Sequence, residues 1–128
     1  MALNPNPVNW FEIPVNDMQR AIKFYGDAFS IKLEPIEIGP HLFAFFPMQK
    51  GAVGAGGTLM HGPGAKPSHE GTTVYFRVEE IDPVLGQIGK AGGKILSPRA
   101  SVGDYGFTAH FEDSEGNRLA LHEALKDR

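Results

Sequence analysis

Cysteine is absent from this 128-residue chain. Without a thiol there is no disulfide, no thiolate metal site and no cysteine nucleophile. An excess of one charge is also missing, since 12 Lys and Arg against 15 Asp and Glu leave a net charge of −3. This balance argues against nucleic acid or an anionic membrane as a partner.

Long apolar runs and targeting signals are missing as well. The longest strongly apolar run, 42–46, has the length of a strand and is far too short to span a bilayer. The opening residues MALNPNP contain neither the basic nor the apolar region of a signal peptide. We therefore expect a cytoplasmic protein that does not enter a membrane. Sixteen glycines and ten prolines imply many turns, and hence a β or α+β structure.

A weak internal repeat organises the chain. Shifted by 63 positions, segment 10–35 falls on 73–98, with identical residues at Val15, Gly26, Ala28, Leu33 and Pro35. The strand and helix periodicities of the two segments also agree, which indicates two copies of one structural unit. We predict an α+β fold of two βαβββ modules, with curved mixed sheets that enclose a cleft. Module 1 covers about 8–60, a linker covers 61–71, and module 2 covers about 72–123.

Each module is predicted to run from a strand into a helix and then into three strands. The first helix starts at Asn16 or Asp17, and the second has Asp82 as N-cap and Pro83 as its first residue. Gly92 and Gly93 end the second helix. The later strands are predicted at 32–38, 41–46, 57–60, 94–99, 106–112 and 118–123, with a turn at 113–117.

Two segments carry a family resemblance, FEIPVNDMQRAIKFYGDAFSIKLE near the start and FEDSEGNRLALHE near the end. Together with the doubled βαβββ unit, they make the chain resemble the vicinal oxygen chelate superfamily. That group includes glyoxalase I, bleomycin-resistance proteins, fosfomycin-resistance proteins and extradiol dioxygenases. The resemblance implies the cleft, but it leaves the chemistry open because one scaffold hosts many activities.

The resemblance also implies where a metal would bind, on the first and last strands of each module. These positions fall on Trp10, Thr58, Thr73 and Ala120 in this chain. An indole, a methyl group and two hydroxyls do not form a divalent site, which needs His and carboxylate ligands. We therefore predict no cofactor, disfavour a divalent metal, and treat these four residues as candidate ligand contacts.

The next residues on the same strand faces include titratable side chains. Period two places Glu12, Met60, Tyr75 and His122 toward the cleft. A Glu12 carboxylate beside the His122 imidazole would supply a general acid or base near neutral pH, with Tyr75 positioning a substrate. Two alternatives stay open: the pair holds a displaced metal, or it forms only a structural hydrogen bond or a polar rim.

Aromatic side chains indicate an apolar cleft wall. Trp10, Tyr75 and Met60 are predicted on this face, while Phe11, Val74, Phe76, Leu119 and Leu121 face the helices. Such a concave surface suits a small, partly aromatic ligand, although the rings could instead fill the cleft or pack in a dimer. The glycine-rich segment 51–57 lacks the features of a phosphate loop and is expected at the cleft mouth.

The other histidines, His41, His61, His69 and His110, are interpreted as surface or rim residues. Only His110 would face the cleft, if the parity of its strand allows.

Two functions from different classes follow. The first is a glyoxalase-like enzyme of lyase or isomerase type, with Glu12, His122 and Tyr75 acting on a small organic molecule. The second is a metal-free protein that sequesters a ligand, comparable to bleomycin-resistance proteins. Both predict a homodimer, and in parts of the superfamily the modules are exchanged between chains.

Overall fold

The order strand, helix and three strands occurs twice, as predicted. The structure is a computed structural model and describes residues 2–126. Module 1 contains β1 (Trp10–Pro14), α1 (Met18–Phe29), β2 (Pro35–Ile38), β3 (His41–Phe45) and β4 (Gly56–His61). Module 2 contains β5 (Tyr75–Arg77), α2 (Ile81–Lys90), β6 (Lys94–Ser101), a 3₁₀ turn (Gly103–Tyr105), β7 (Phe107–Glu112) and β8 (Arg118–Glu123).

Each module forms one four-stranded mixed sheet, in the order β1-β4-β3-β2 or β5-β8-β7-β6. The first strand of each module pairs in parallel with the last, and the remaining neighbours are antiparallel. Consequently β1 and β5 are both edge strands. This leaves them free to line a space between the modules.

The period-two prediction for the sheet faces is confirmed. Ile13, Leu59 and Leu121 are buried in one core with both helices, while Phe11 and Phe76 pack against it. Their neighbours Trp10 and Tyr75 point to the opposite face and are exposed. These strands therefore present one face to the helices and the other to the opposite side of their sheets.

The helix boundaries agree with the prediction at α1 and differ at α2. Asp17 is the N-cap of α1 and accepts a hydrogen bond from the Arg20 amide at 3.1 Å. The prediction of Asp82 as N-cap of α2 is wrong, because this helix begins at Ile81 with Glu80 at the N-cap position. The Ile81 amide donates instead to Glu123 Oε1 of β8 at 2.9 Å. A partner distant in sequence thus satisfies an amide that a local cap would otherwise serve.

Aromatic side chains join the two modules. Phe76 of β5 lies 5.8 Å from Phe11 of β1 and 5.1 Å from Phe29 of α1, measured between ring centroids. Tyr25 and Phe46 of module 1 also pack near Phe76, at 6.3 and 5.5 Å. The two modules therefore share one aromatic core within the chain.

The turn at 113–117 is the polar part of this interface. The buried Asp113 accepts hydrogen bonds from the Tyr25 hydroxyl at 2.5 Å and from the Asn117 side chain at 3.0 Å. Asn117 Nδ2 also donates to the carbonyl of Pro14 in β1 at 2.8 Å. The turn of module 2 is thereby attached to the strand and helix of module 1. Gly116, with φ of 93°, takes the left-handed conformation that the turn requires.

Glu115, from the same turn, binds backbone amides at the start of α1. Its carboxylate accepts the amides of Asn16 and Asp17, both at 2.8 Å, and pairs with Arg20 at 2.7 Å. Burial alone would raise the pKa of Glu115, but the hydrogen bonds from Arg20 and these amides outweigh burial and lower it. In module 2 the hydrogen bond from Arg99 similarly lowers the pKa of Glu123.

None of the helices in residues 2–126 is both long enough and apolar enough to cross a membrane.

Removing the Glu115 carboxylate should destabilise the protein strongly. Its side chain is 0% exposed, so Glu115→Ala leaves the two amides just before α1 and a guanidinium without their acceptor, at a cost of about 2–4 kcal/mol. Urea denaturation measures the change in free energy of unfolding. The exposed pair Lys23–Asp27 is the control, since Lys23→Ala should cost less than about 0.5 kcal/mol. Equal effects of the two substitutions would contradict the structural role of Glu115.

Stability should fall in acid, and Glu115 should account for part of the fall. A carboxyl whose pKa is lower in the folded state stabilises above its unfolded value, ordinarily 4.5, and this stabilisation is lost as pH falls through the folded pKa. Between neutral pH and strong acid, Glu115→Gln should therefore lose less unfolding free energy than the unmodified protein. Denaturant titrations at several pH values measure both slopes, and parallel slopes would contradict the assignment.

Candidate functional site

A cleft of about 660 Å³ lies between the edge strands β1 and β5. Its volume is within the range of small-molecule sites. Glu12 and Arg77 contribute charges, and segment 53–55 of the glycine-rich loop forms part of the rim, as expected. The lining residues are Val8, Trp10, Phe11, Glu12, Val53, Gly54, Ala55, Thr72, Thr73, Val74, Tyr75, Phe76 and Arg77.

A small residue beside Trp10 leaves room for its indole ring on the module 1 wall of the cleft. The β4 partner of Trp10 is Gly56, where an added Cβ would lie 3.0 Å from the indole ring. The ring reaches across β4 to Phe45 of β3, with centroids 5.8 Å apart in an edge-to-face arrangement. Trp10 still exposes 39% of its surface. Glycine at 56 therefore lets the indole lie over the sheet and present a free surface to the cleft.

Tyr75 is placed in a similar way on the module 2 wall. Its partner on β8 is the fully buried Ala120, and Ala120 pairs on its other side with His110 of β7. Tyr75 reaches across this alanine to His110, with ring centroids 5.8 Å apart in an edge-to-face arrangement. The tyrosine is 51% exposed. Both cleft walls thus carry an aromatic ring that crosses a small residue on the central strand.

Glu12 lines both the cleft and a smaller side pocket of about 170 Å³. The side pocket is polar, with Lys66, Glu70 and Arg118 among its lining residues. None of the ion pairs found within residues 2–126 involves the Glu12 carboxylate. Glu12 is therefore placed to accept a hydrogen bond from a ligand in either space.

The structure does not bring His122 to Glu12. His122 pairs with Arg77 across β5 and β8, and its Nε2 donates to the carbonyl of Tyr105 at 2.6 Å. It lines neither the cleft nor the side pocket. Because a carbonyl only accepts, Nε2 carries a proton, and in the neutral ring Nδ1 holds the lone pair. Met60 pairs with Pro14 and Phe43 and also lies outside the cleft lining.

The residues at the superfamily's metal positions do not suit a cation. Thr73 Oγ1 accepts a hydrogen bond from Arg118 Nη2 at 2.8 Å, so a positive charge already sits beside this oxygen. Thr58 is 1% exposed, and its buried hydroxyl has no partner among the described residues. Ala120 is buried, and the Trp10 indole offers no ligand lone pair. This donor set does not fit a divalent metal.

The described residues offer no alternative metal site away from these four positions. In the described part of the chain, no three or more His, Asp and Glu side chains are grouped so that they could hold a metal ion.

The remaining histidines have local partners. His61 ends β4, whereas the prediction placed it in the linker, and its Nδ1 hydrogen-bonds to the Val15 carbonyl at 2.9 Å. His41 contacts the Pro63 carbonyl, and His69 pairs with Glu112. His110 does face the cleft side, through its contact with Tyr75.

Sequence reasoning missed Arg77 and Arg118 as residues of the cleft and side pocket. Strand parity could have identified both, because Arg77 follows Tyr75 by two positions and Arg118 precedes Ala120 by two.

Comparison with known proteins identifies the family. The model of the Glyoxalase/Bleomycin resistance protein/Dioxygenase superfamily matches residues 8–121. The chain belongs to this superfamily. Its doubled βαβββ fold is also found in solved glyoxalase-like structures. Glyoxalase I from Zea mays superposes with a TM-score of 0.70 at 20% identity, over 91% of this chain and 46% of that one.

A second structure matches over its whole length. TnmS3, an antibiotic binding protein from Streptomyces sp. CB03234, superposes with a TM-score of 0.68 at 20% identity, over 98% of this chain and 99% of that one. Among curated proteins, the putative glyoxylase CFP32 of Mycobacterium tuberculosis is 26% identical over 119 residues. That match covers 91% of this chain and 45% of the relative, so the chain spans about half the length of CFP32.

Dialysis against Zn²⁺, Ni²⁺ or Mn²⁺ should leave far less than one metal ion per chain. The physical reason is the Arg118 cation beside Thr73 and the lack of His or carboxylate at the other three positions. Elemental analysis by mass spectrometry measures the content. One metal per chain would contradict this prediction, and its loss in both Glu12→Gln and His122→Ala would identify a displaced site.

Proposed function

We propose that this protein binds a small, largely apolar aromatic molecule in the cleft between β1 and β5, without a metal. One observation carries the proposal. Trp10 and Tyr75 come from different modules, yet both expose ring surface to the same cleft. A flat aromatic ligand would cover this surface, and each aromatic contact contributes about 0.5–1.5 kcal/mol beyond the area that it buries.

The polar groups in the cleft are few and therefore suited to orient a ligand. Glu12 offers a hydrogen-bond acceptor and Arg77 offers donors, while Val8, Val53 and Val74 supply apolar surface. A mostly apolar wall with a few polar groups is typical of small-molecule sites. Segment 53–55 at the rim allows a ligand to be partly covered from solvent.

The superfamily is compatible with this function. TnmS3 is an antibiotic binding protein on the same scaffold, and it matches this chain end to end. Glyoxalase I shares the scaffold too, but the donor set of the present chain does not suit a metal at the positions that the superfamily resemblance implies. Binding without metal chemistry is therefore the function that the cleft supports best.

A lyase or isomerase activity is the second candidate. Glu12 lines the cleft and takes part in none of the ion pairs among residues 2–126, so its carboxylate could accept or donate a proton. His122 lines neither the cleft nor the side pocket and hydrogen-bonds to Tyr105, so only Glu12 would contact a ligand bound in the cleft. Turnover of aldehydes, thiol adducts or epoxides that is lost in Glu12→Gln would support this candidate over pure binding.

The proposed binding can be tested at Trp10, the only tryptophan of the chain. We expect neutral two-ring aromatic compounds, beginning with 1-naphthol, to raise the unfolding temperature. At 100 times the dissociation constant, a ligand stabilises the folded protein by about 2.7 kcal/mol. Calorimetric titration then compares variants. Trp10→Ala should weaken binding by at least about tenfold, whereas Trp10→Phe keeps a ring and should weaken it less.

Phe43→Ala is the control, because it shows whether loss of an aromatic side chain weakens binding through a general effect on the fold. Phe43 is a half-buried aromatic on the cleft side of β3, but it does not line the cleft. Equal affinity of Trp10→Ala and the unmodified protein for every bound compound would contradict the proposed site.

A further inference from the structure

Three polar side chains form a row across the sheet of module 2 and end at the cleft. Ser97 of β6 is the partner of His110 in β7, and Tyr75 lies beyond Ala120 in the same row. Ser97 Oγ is 3.0 Å from His110 Nδ1, and His110 Nε2 is 3.4 Å from the Tyr75 hydroxyl. Both imidazole nitrogens therefore have partners, and only the tyrosine in the row lines the cleft.

Ala120 makes this row possible. Its methyl group is fully buried between the strands of Tyr75 and His110, so the two rings can meet above it. A longer side chain at this position would separate the rings. The same alanine occupies one of the four positions that the superfamily uses for a metal ligand.

The row determines which hydrogen bonds the Tyr75 oxygen can still make. A neutral imidazole has one N–H donor and one acceptor nitrogen. One tautomer lets Tyr75 donate to Nε2 and Nδ1–H donate to Ser97 Oγ, and the other reverses both directions. A phenolic hydroxyl is a stronger donor than an aliphatic one, which favours the first tautomer, and the inference below takes this tautomer. The single proton of the Tyr75 hydroxyl is then used within the protein. Only its oxygen lone pairs remain for a ligand.

We propose that His110 is a positioning residue that makes Tyr75 a hydrogen-bond acceptor on the cleft wall. The cleft then selects aromatic ligands that carry an O–H or N–H donor, such as phenols and aryl amines, over ligands of the same shape without one. This inference rests on the proposed function, since it concerns the same cleft. Glu12 is a second acceptor in the cleft, so its contribution must be measured separately.

The test compares two probes of nearly the same shape, 1-naphthol, which has an O–H donor, and 1-methoxynaphthalene, which has none. Titration calorimetry or ligand-observed NMR measures both dissociation constants for each variant. One net hydrogen bond corresponds to about a five- to tenfold preference for 1-naphthol. This preference should disappear in Tyr75→Phe, which keeps the ring, and should shrink in His110→Ala and Ser97→Ala.

His110→Gln is the rescue variant. Its side-chain carbonyl can accept the Tyr75 hydroxyl in place of Nε2, so the preference should return. A merely structural role of His110 would change the affinity of both probes alike and leave their ratio unmoved. Thermal unfolding of each variant shows whether the fold is intact. If His110→Ala fails to fold, Tyr75→Phe and Ser97→Ala carry the test.

Two results overturn the inference alone: equal affinity of the unmodified protein for both probes, or a preference that survives in Tyr75→Phe and is lost in Glu12→Gln. Failure of both probes to bind overturns the proposed function for two-ring aromatic compounds, and this inference with it.

Discussion

The cleft depends on the attachment of the 113–117 turn of module 2 to the strand and helix of module 1. Asp113 accepts the Tyr25 hydroxyl, Asn117 holds the end of β1, and Glu115 binds backbone amides at the start of α1. These groups are buried, so each hydrogen bond satisfies an atom that would be costly to leave without a partner. The aromatic contacts around Phe76 supply apolar area to the same interface. Together they bring the edge strands β1 and β5 to the same cleft.

Small residues on the central strands shape the cleft walls. Gly56 and Ala120 leave room for Trp10 and Tyr75 to cross their sheets and meet Phe45 and His110. Trp10 occupies one of the metal-ligand positions that the superfamily resemblance implies, and Tyr75 lies beside another, Ala120. The cleft of this chain thus has aromatic surface and a few hydrogen-bonding groups where a metal centre would need His and carboxylates.

Much of the fold could be predicted because it depends on local patterns. Alternation in 10–15 and 73–78 identified which face of each first strand is buried, and Asp17 marked the start of α1. The start of α2 could not be predicted, because its first amide is bound by Glu123, 42 positions away. His61 was predicted in the linker, because β4 extends one residue beyond the apolar pattern.

The site was predictable in part. Strand parity placed Trp10, Glu12, Thr73 and Tyr75 in the cleft, because parity decides the face of a sheet. It assigned Phe11, Val74 and Phe76 to the helix side, yet these residues of the edge strands also line the cleft. Parity does not determine the distance between two residues on that face. The structure lacks, among the residues that it describes, the hydrogen-bonded Glu12–His122 pair that parity suggested. The row from Ser97 to Tyr75 needs the register of four strands, with an irregularity between β6 and β7.

The sequence by itself determined the two βαβββ modules, the buried and free faces of their strands, and the residue types at the metal positions. The modules and the strand faces follow from period and turn chemistry, which are local properties, while the metal positions are those that the superfamily resemblance implies. Only the tertiary structure decided which free-face residues share one space, because that depends on how the modules dock through Glu115, Asp113 and Phe76. Docking depends on contacts between residues up to 103 positions apart in the chain.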